Sequence, residues 1–227
     1  MKANSARPPG YESKSSDYFE QARPEMIPFI PANCQRVLDV GCGKGNFGEL
    51  LKRSRKIEVW GIEPVASAAA EAATQLDRAI EGIFTPEADL PSEYFDAIIF
   101  NDVLEHLPDP SAALRLARTL LKPGGFVVAS IPNIRFFPTQ WEIIVRGEWR
   151  YRDSGILDRT HLCFFTRKSI LEMFAACDFE VEKAEGINSY AGGTAKKWLA
   201  YSLLNTLFLN AIGDMKYLQF ATVARTK

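Results

Sequence analysis

Between residues 36 and 131, short apolar runs alternate with stretches whose apolar positions recur at helical spacing. The runs Arg36–Val40, Glu58–Glu63, Arg78–Ile83, Phe95–Asn101 and Gly125–Ile131 predict five strands. Ala97-Ile98-Ile99-Phe100 and Phe126-Val127-Val128-Ala129 are apolar on both faces, as parallel strands covered by helices on both sides must be. Phe47, Leu50 and Leu51 form one helical stripe; Ala66, Ala69, Ala70, Ala73 and Leu76 form a second. A later helix is punctuated by Asp109 as N-cap, Pro110 at its first position and Gly124 just past its end. After Pro132 the period is lost. Residues 133–165 carry Trp141, Trp149, Tyr151 and several arginines, a connection long enough to bear function. Thr166 then caps a helix with Ile170, Leu171, Phe174 and Ala175 on one face. Strands Phe179–Ala184 and Tyr217–Ala224 close the chain, with an apolar helical insert at 194–212 between them (190–214 with its flanks). Ahead of the first strand, residues 17–30 suit a short helix broken by Pro24 and Pro28, and residues 1–16 read as a mobile tail rich in Ser, Pro, Lys and Gly. The pattern is that of an α/β, doubly wound sheet, in which right-handed crossovers put ligands at the carboxyl ends of the strands.

Bulk properties narrow the choice. At 227 residues the chain suits one domain, residues 17–227. Its net charge of −1 gives no global signal for nucleic acid. Cys34, Cys42, Cys163 and Cys177 are scattered, which argues against a zinc site or a disulfide framework and suits a reducing, cytoplasmic setting. No metal site is expected. No signal peptide is visible, and no apolar run is long enough to span a bilayer.

The candidate chemistry centres on Asp39-Val40-Gly41-Cys42-Gly43-Lys44-Gly45, a strand end running into a glycine-rich turn and a helix. The glycines can be threaded onto a dinucleotide fingerprint. Asp39, two residues before the first glycine, argues otherwise: a carboxylate there suits a cationic ligand group and is poorly placed beside a pyrophosphate. The next strand ends at Glu63, where an acid accepts hydrogen bonds from a ribose. A ribose together with a cationic amino-acid end describes S-adenosylmethionine (SAM).

At these residues the chain resembles the class I SAM-dependent methyltransferases, whose first motif, (D/E)-x-G-x-G-x-G, it matches in full. The resemblance implies a Rossmann-like, seven-stranded, mostly parallel sheet of order 3-2-1-4-5-7-6 with the last strand antiparallel, a substrate cap at 133–165, and S-adenosylhomocysteine as product. It implies SAM contacts from Asp39, Gly41, Cys42, Gly43, Gly45, Glu63 and Pro64. The usual Asp after the third strand is missing, so Ile83 or Phe84 is left to pack on the adenine. Asn101-Asp102-Val103-Leu104-Glu105-His106 resembles the post-strand motif of small-molecule methyltransferases, including the ubiquinone-biosynthesis O-methyltransferases. It implies that Asn101, Asp102 and Leu104 line the cofactor and that His106 faces the transferred methyl; His106 serves equally well as a loop anchor.

Residues 155–166 resemble an LDRTHLRFFT element of methyltransferases from bacterial surface-polysaccharide clusters, with Cys163 in place of the usual Arg. Here Asp158 and His161 stand three apart, and a neutral histidine steadied by a carboxylate is a reasonable general base. Arg159 suits an acidic substrate group, and Asn133, Trp149 and Tyr151 are candidate acceptor contacts, with core packing the competing role for the aromatics. The expected reaction is methyl transfer to a small-molecule or glycan acceptor, most specifically a sugar hydroxyl in surface-polysaccharide synthesis. A quinone-pathway or other O- or N-methyltransferase is the alternative, and a non-catalytic SAM-binding scaffold the rival from another class. The insert at 194–212 suits a homodimer contact, a peripheral membrane contact, or packing on its own sheet.

Overall fold

The computed structural model describes residues 22–190, 199, 202, 203, 205–207 and 212–227. The predicted mobile tail at 1–16 lies outside them, as does most of the predicted insert. The strands are β1 Arg36–Val40, β2 Glu58–Glu63, β3 Arg78–Glu81, β4 Phe95–Asn101, β5 Leu121–Pro132, β6 Phe179–Ser189 and β7 Tyr217–Thr226. They form a single sheet of order β3-β2-β1-β4-β5-β7-β6. The first five strands, β1 to β5, pair in parallel, and β7 runs antiparallel to both of its neighbours. The expected fold is the observed one.

Strand alternation divides the apolar side chains between two faces. Leu38, Ile62, Ile98, Phe100 and Val127 join one core; Val37, Val59, Ala97, Ile99 and Val128 join the other. β4, with a paired strand on either side, keeps Phe95 and Ala97 to Phe100 fully buried, which is why it shows no alternation.

The helices are α1 Asn46–Ser54, α2 Ala66–Ala72, α3 Pro110–Leu120, α4 Phe137–Arg146 and α5 Arg167–Ala176. Asp109 caps α3 by accepting from the Ala112 N–H at 2.8 Å. Thr166 and Ser169 form a reciprocal capping box on α5. Several expectations shift. The alanine-rich α2 buries Ala68, Ala69 and Ala72, with Leu76 just beyond it, while Ala66, Ala70 and Ala73 are not in the core. A segment of nearly uniform side chains leaves the choice of face to its neighbours. Here Ala72 and Leu76 pack over Gly45, where a Cβ would stand 3.1 Å from the Ala72 Cα. α3 ends at Leu120 rather than near Gly124, because Leu121 already pairs with Phe95. Ala175 is exposed, and Cys177 takes its place in the core. The connection without a clean period contains α4, which buries none of its residues. Within residues 17–30, Pro24–Phe29 form a 3-10 helix. Of the insert, 199, 202, 203 and 205–207 are helical, and Leu199, Leu203 and Leu207 are exposed. Among the described residues, no helix is long and apolar enough to cross a membrane.

Candidate functional site

The register aligns the carboxyl ends of β1, β2 and β4: Asp39 sits opposite Gly61 and Ile99, Val40 opposite Ile62 and Phe100. A cavity of about 360 Å³ opens there, within the range of small-molecule sites.

Its floor is the glycine turn. Gly41, Gly43 and Gly45 all have positive φ (69°, 53° and 87°), which glycine adopts without penalty. Gly41 and Gly43 line the cavity with Cys42. Gly45 does not: it is the αL residue preceding α1, and its missing Cβ lets α2 approach. Glu63 is locked by the same turn, its carboxylate accepting from the Gly43 and Val65 N–H groups at 3.0 Å each. One lone pair on each oxygen is thus committed and another remains for a hydroxyl. Burial pushes the Glu63 carboxyl up, against the pull of those N–H groups.

Asp39 is 2 % exposed and lines the cavity. Burial first, then the neighbouring Glu63, raises its carboxyl to about 8. Asn101, also in the wall, has both amide atoms buried without a partner among the described residues. Unsatisfied polar groups around a cavity call for a polar ligand. Gly82, Ile83 and Phe84 line the adjacent wall, where Phe84 packs edge-on against Phe100 at 5.6 Å. These features fit SAM: a carboxylate for its ammonium, a pinned Glu for the ribose, and an apolar wall for the adenine. Pro64 also lines the cavity, as expected.

The fourth strand's loop behaves partly as expected. Asp102, at φ 55°, lines the cavity but is tied to Arg23, Gln219 and Ser130. Burial pushes its carboxyl up, against the pull of Arg23. Leu104, expected at the cofactor, is fully buried in the core instead. The 3-10 turn Leu104–His106 directs Glu105 and His106 to the cavity in its place.

Glu105, His106 and His161 form one cluster. His106 Nδ1 lies 3.0 Å from the Thr160 carbonyl, and His161 Nδ1 lies 2.8 Å from that of Ile156. The two rings stand edge to face with centroids 4.7 Å apart. Glu105 Oε1 is 4.0 Å from His161 Nε2. Glu105 thus presents a carboxylate to His161, and Asp158 accepts from the Thr160 N–H and hydroxyl at 2.9 and 2.7 Å, folding the loop that holds His161. Burial drives the Glu105 carboxyl well up, and Asp102 adds to the shift.

The predicted acceptor contacts are mostly displaced. Asn133 is fully buried and clamps the approach to β7, donating to the Asp214 and Tyr217 carbonyls at 3.0 Å and accepting from the Arg135 N–H. Arg159 points outward to Asp153. Trp149 and Tyr151 are about half exposed and lie outside the cavity wall, Trp149 stacked edge-on against Phe164. Of the cap, the loop through Ser154, Gly155, Ile156, Asp158 and His161 reaches the cavity. Arg23, Asn188 and Gln219 also line it and carry no motif in the sequence; Glu105 was legible only as the neighbour of His106.

Comparison with known proteins agrees with this geometry. A ubiquinone biosynthesis O-methyltransferase of Alkalilimnicola ehrlichii is 39% identical over 106 residues, covering 44% of this chain and 42% of that protein. The chain thus matches less than half the length of that relative. A SAM-dependent methyltransferase of Archaeoglobus fulgidus superposes with a TM-score of 0.66 at 20% identity, over 94% of this chain and 96% of that one. A cyclase shares the fold too, with a TM-score of 0.59 at 18% identity over 93% and 81% of the two chains, so the fold alone does not fix the reaction. A profile described as a methyltransferase domain matches residues 11–184. With the glycine turn, Asp39 and Glu63 in place around the cavity, the chain belongs to that methyltransferase domain family, the SAM-dependent class I methyltransferases.

Proposed function

We propose that this protein transfers a methyl group from SAM to an oxygen of a small hydroxylated acceptor, with S-adenosylhomocysteine as product. The observation that carries the reading is one cavity lined both by the cofactor groups Asp39 and Asn101 and by the cluster Glu105, His106 and His161. When bound, SAM supplies a methyl group made electrophilic by its sulfonium. Asp39 holds the ammonium end, Glu63 the ribose, and Ile83 and Phe84 the adenine face. An oxygen acceptor must lose its proton as the new bond forms, and the two histidines in the cavity wall are the candidates to take it. Alignment of acceptor and methyl supplies most of the acceleration.

The curated relatives, named ubiquinone biosynthesis O-methyltransferases, favour a quinone-pathway acceptor, for which simple phenols serve as probes, over a sugar. The glycan reading keeps one supporting observation: the loop resembling polysaccharide-cluster enzymes roofs the cavity through Ile156, Asp158 and His161. Arg159, Trp149 and Tyr151 no longer support it. Incubation with methyl-labelled SAM and parallel panels of phenols, sugar nucleotides and amines tests these readings. Label on a phenol is expected. Label on sugars alone would favour the glycan reading, and label on nitrogen acceptors alone would overturn oxygen transfer.

A further inference from the structure

We propose that Glu105, His106 and His161 form a binding site for one divalent transition-metal ion on the acceptor side of the cavity. Each residue offers a ligand atom, and the three atoms lie within 4.8 Å of one another. Donors around a single ion at about 2.1 Å stand roughly 3–3.5 Å apart, so a closure of up to about 1.5 Å completes the set.

The surrounding hydrogen bonds are already those of a metal site. Each histidine turns Nδ1 to a backbone carbonyl, Thr160 for His106 and Ile156 for His161. An Nδ1–H held in this way fixes the tautomer that carries its lone pair on Nε2, the arrangement usual for ligating histidines. The backbone locks the two contributing segments together, since the Glu105 carbonyl accepts from the Leu162 and Cys163 N–H groups at 2.8 and 3.0 Å. The carboxylate supplies the independent observation. Glu105 is fully buried, and neither carboxylate oxygen has a hydrogen-bond partner among the described residues. A buried carboxyl without hydrogen bonds is unfavourable, and a cation offsets the penalty directly.

Two imidazoles and one carboxylate make a borderline donor set, suited to zinc, manganese, iron or cobalt rather than magnesium or calcium. All three residues line the cavity, so positions left open on the ion face the acceptor. There it would polarise a hydroxyl and lower its pKa. That role rests on the methyl-transfer reading; the site itself does not.

The test is titration of chelator-treated protein with Co(II), followed by visible absorption, beside calorimetry with S-adenosylhomocysteine. One Co(II) per chain is expected, with nitrogen- and oxygen-ligand bands and affinity reduced at least tenfold in His106→Ala, His161→Ala and Glu105→Ala. His161→Cys should still bind Co(II) and gain a thiolate charge-transfer band, which keeps the test open if an alanine variant does not fold. Absence of saturable Co(II) binding, binding unchanged in all variants, or a thiolate band in the unaltered protein would each overturn the site. S-adenosylhomocysteine should bind with or without the metal; its failure to bind would count against the cofactor reading and leave the Co(II) result standing.

Discussion

Replacing Asp39 by Asn separates what this carboxylate does for the ligand from what it does to the fold. Its carboxyl sits at about 8 in the folded chain, against 3.8 for an ordinary Asp, because it is buried beside Glu63. Folding therefore takes up a proton between those values. A raised carboxyl contributes stability below its unfolded pKa and loses it as pH climbs toward the folded one. Between pH 5 and pH 7 the ligand-free protein should therefore lose stability steadily through this group, on the order of 2–3 kcal/mol. Glu63 is shifted in the same direction and adds a residual slope. An amide cannot ionise, so the Asp39→Asn variant should be the more stable protein at pH 7 and nearly flat apart from the Glu63 contribution. For the ligand the order reverses. An arriving ammonium draws the proton off Asp39, whose ionised fraction rises from about one in a hundred at pH 6 to about one half at pH 8. Affinity for S-adenosylhomocysteine should thus rise on the order of 10- to 100-fold over that interval in the unaltered protein. Loss of a charged hydrogen bond should weaken binding by roughly 1.5–3 kcal/mol in the variant. Urea denaturation at pH 5, 6 and 7 and calorimetry at pH 6 and 8 measure both. Equal pH slopes in the two proteins, or a variant that binds as well as its parent, would refute the assignment of Asp39 to the ammonium.

Three further outcomes rest on the same geometry. Gly61→Ala places a Cβ 2.5 Å from the Cys42 sulfur and 2.6 Å from Leu76, and should cost about 1–3 kcal/mol, read as a fall of several degrees in melting temperature. Asn133→Ala removes three partly buried hydrogen bonds and should lower stability by about 1–3 kcal/mol in chemical denaturation; a selective rise in acceptor KM with stability unchanged would restore it as an acceptor contact. Arg159→Ala and Trp149→Ala, outside the cavity, should leave acceptor KM within about twofold in steady-state kinetics, whereas Asn101→Ala should weaken S-adenosylhomocysteine binding by about tenfold in calorimetry.

The sheet and its cofactor end were written locally. Strand runs such as Ala97 to Phe100 are legible because burial on both faces removes all polar alternation, and the turn at Gly41 to Gly45 because positive φ three times in five residues demands glycine. Asp39 and Glu63 were readable from their places at strand ends. Position in sequence does not say which way a side chain turns once the strand is over. Leu104 and Glu105 are neighbours, yet the 3-10 turn sends one into the core and the other to the cavity. Arg159 and His161 share a loop, and the Asp158–Thr160 bonds put the arginine outside and the histidine within.

By itself, then, the sequence determined the fold class and the cofactor, since both depend on backbone periodicity and on residues at the ends of neighbouring strands. The rest of the cavity wall was decided only by the tertiary structure. It joins Arg23, Glu105, His161 and Gln219 from four separate stretches of chain. No local spacing encodes such a meeting, because it exists only once the sheet has brought those segments to one edge.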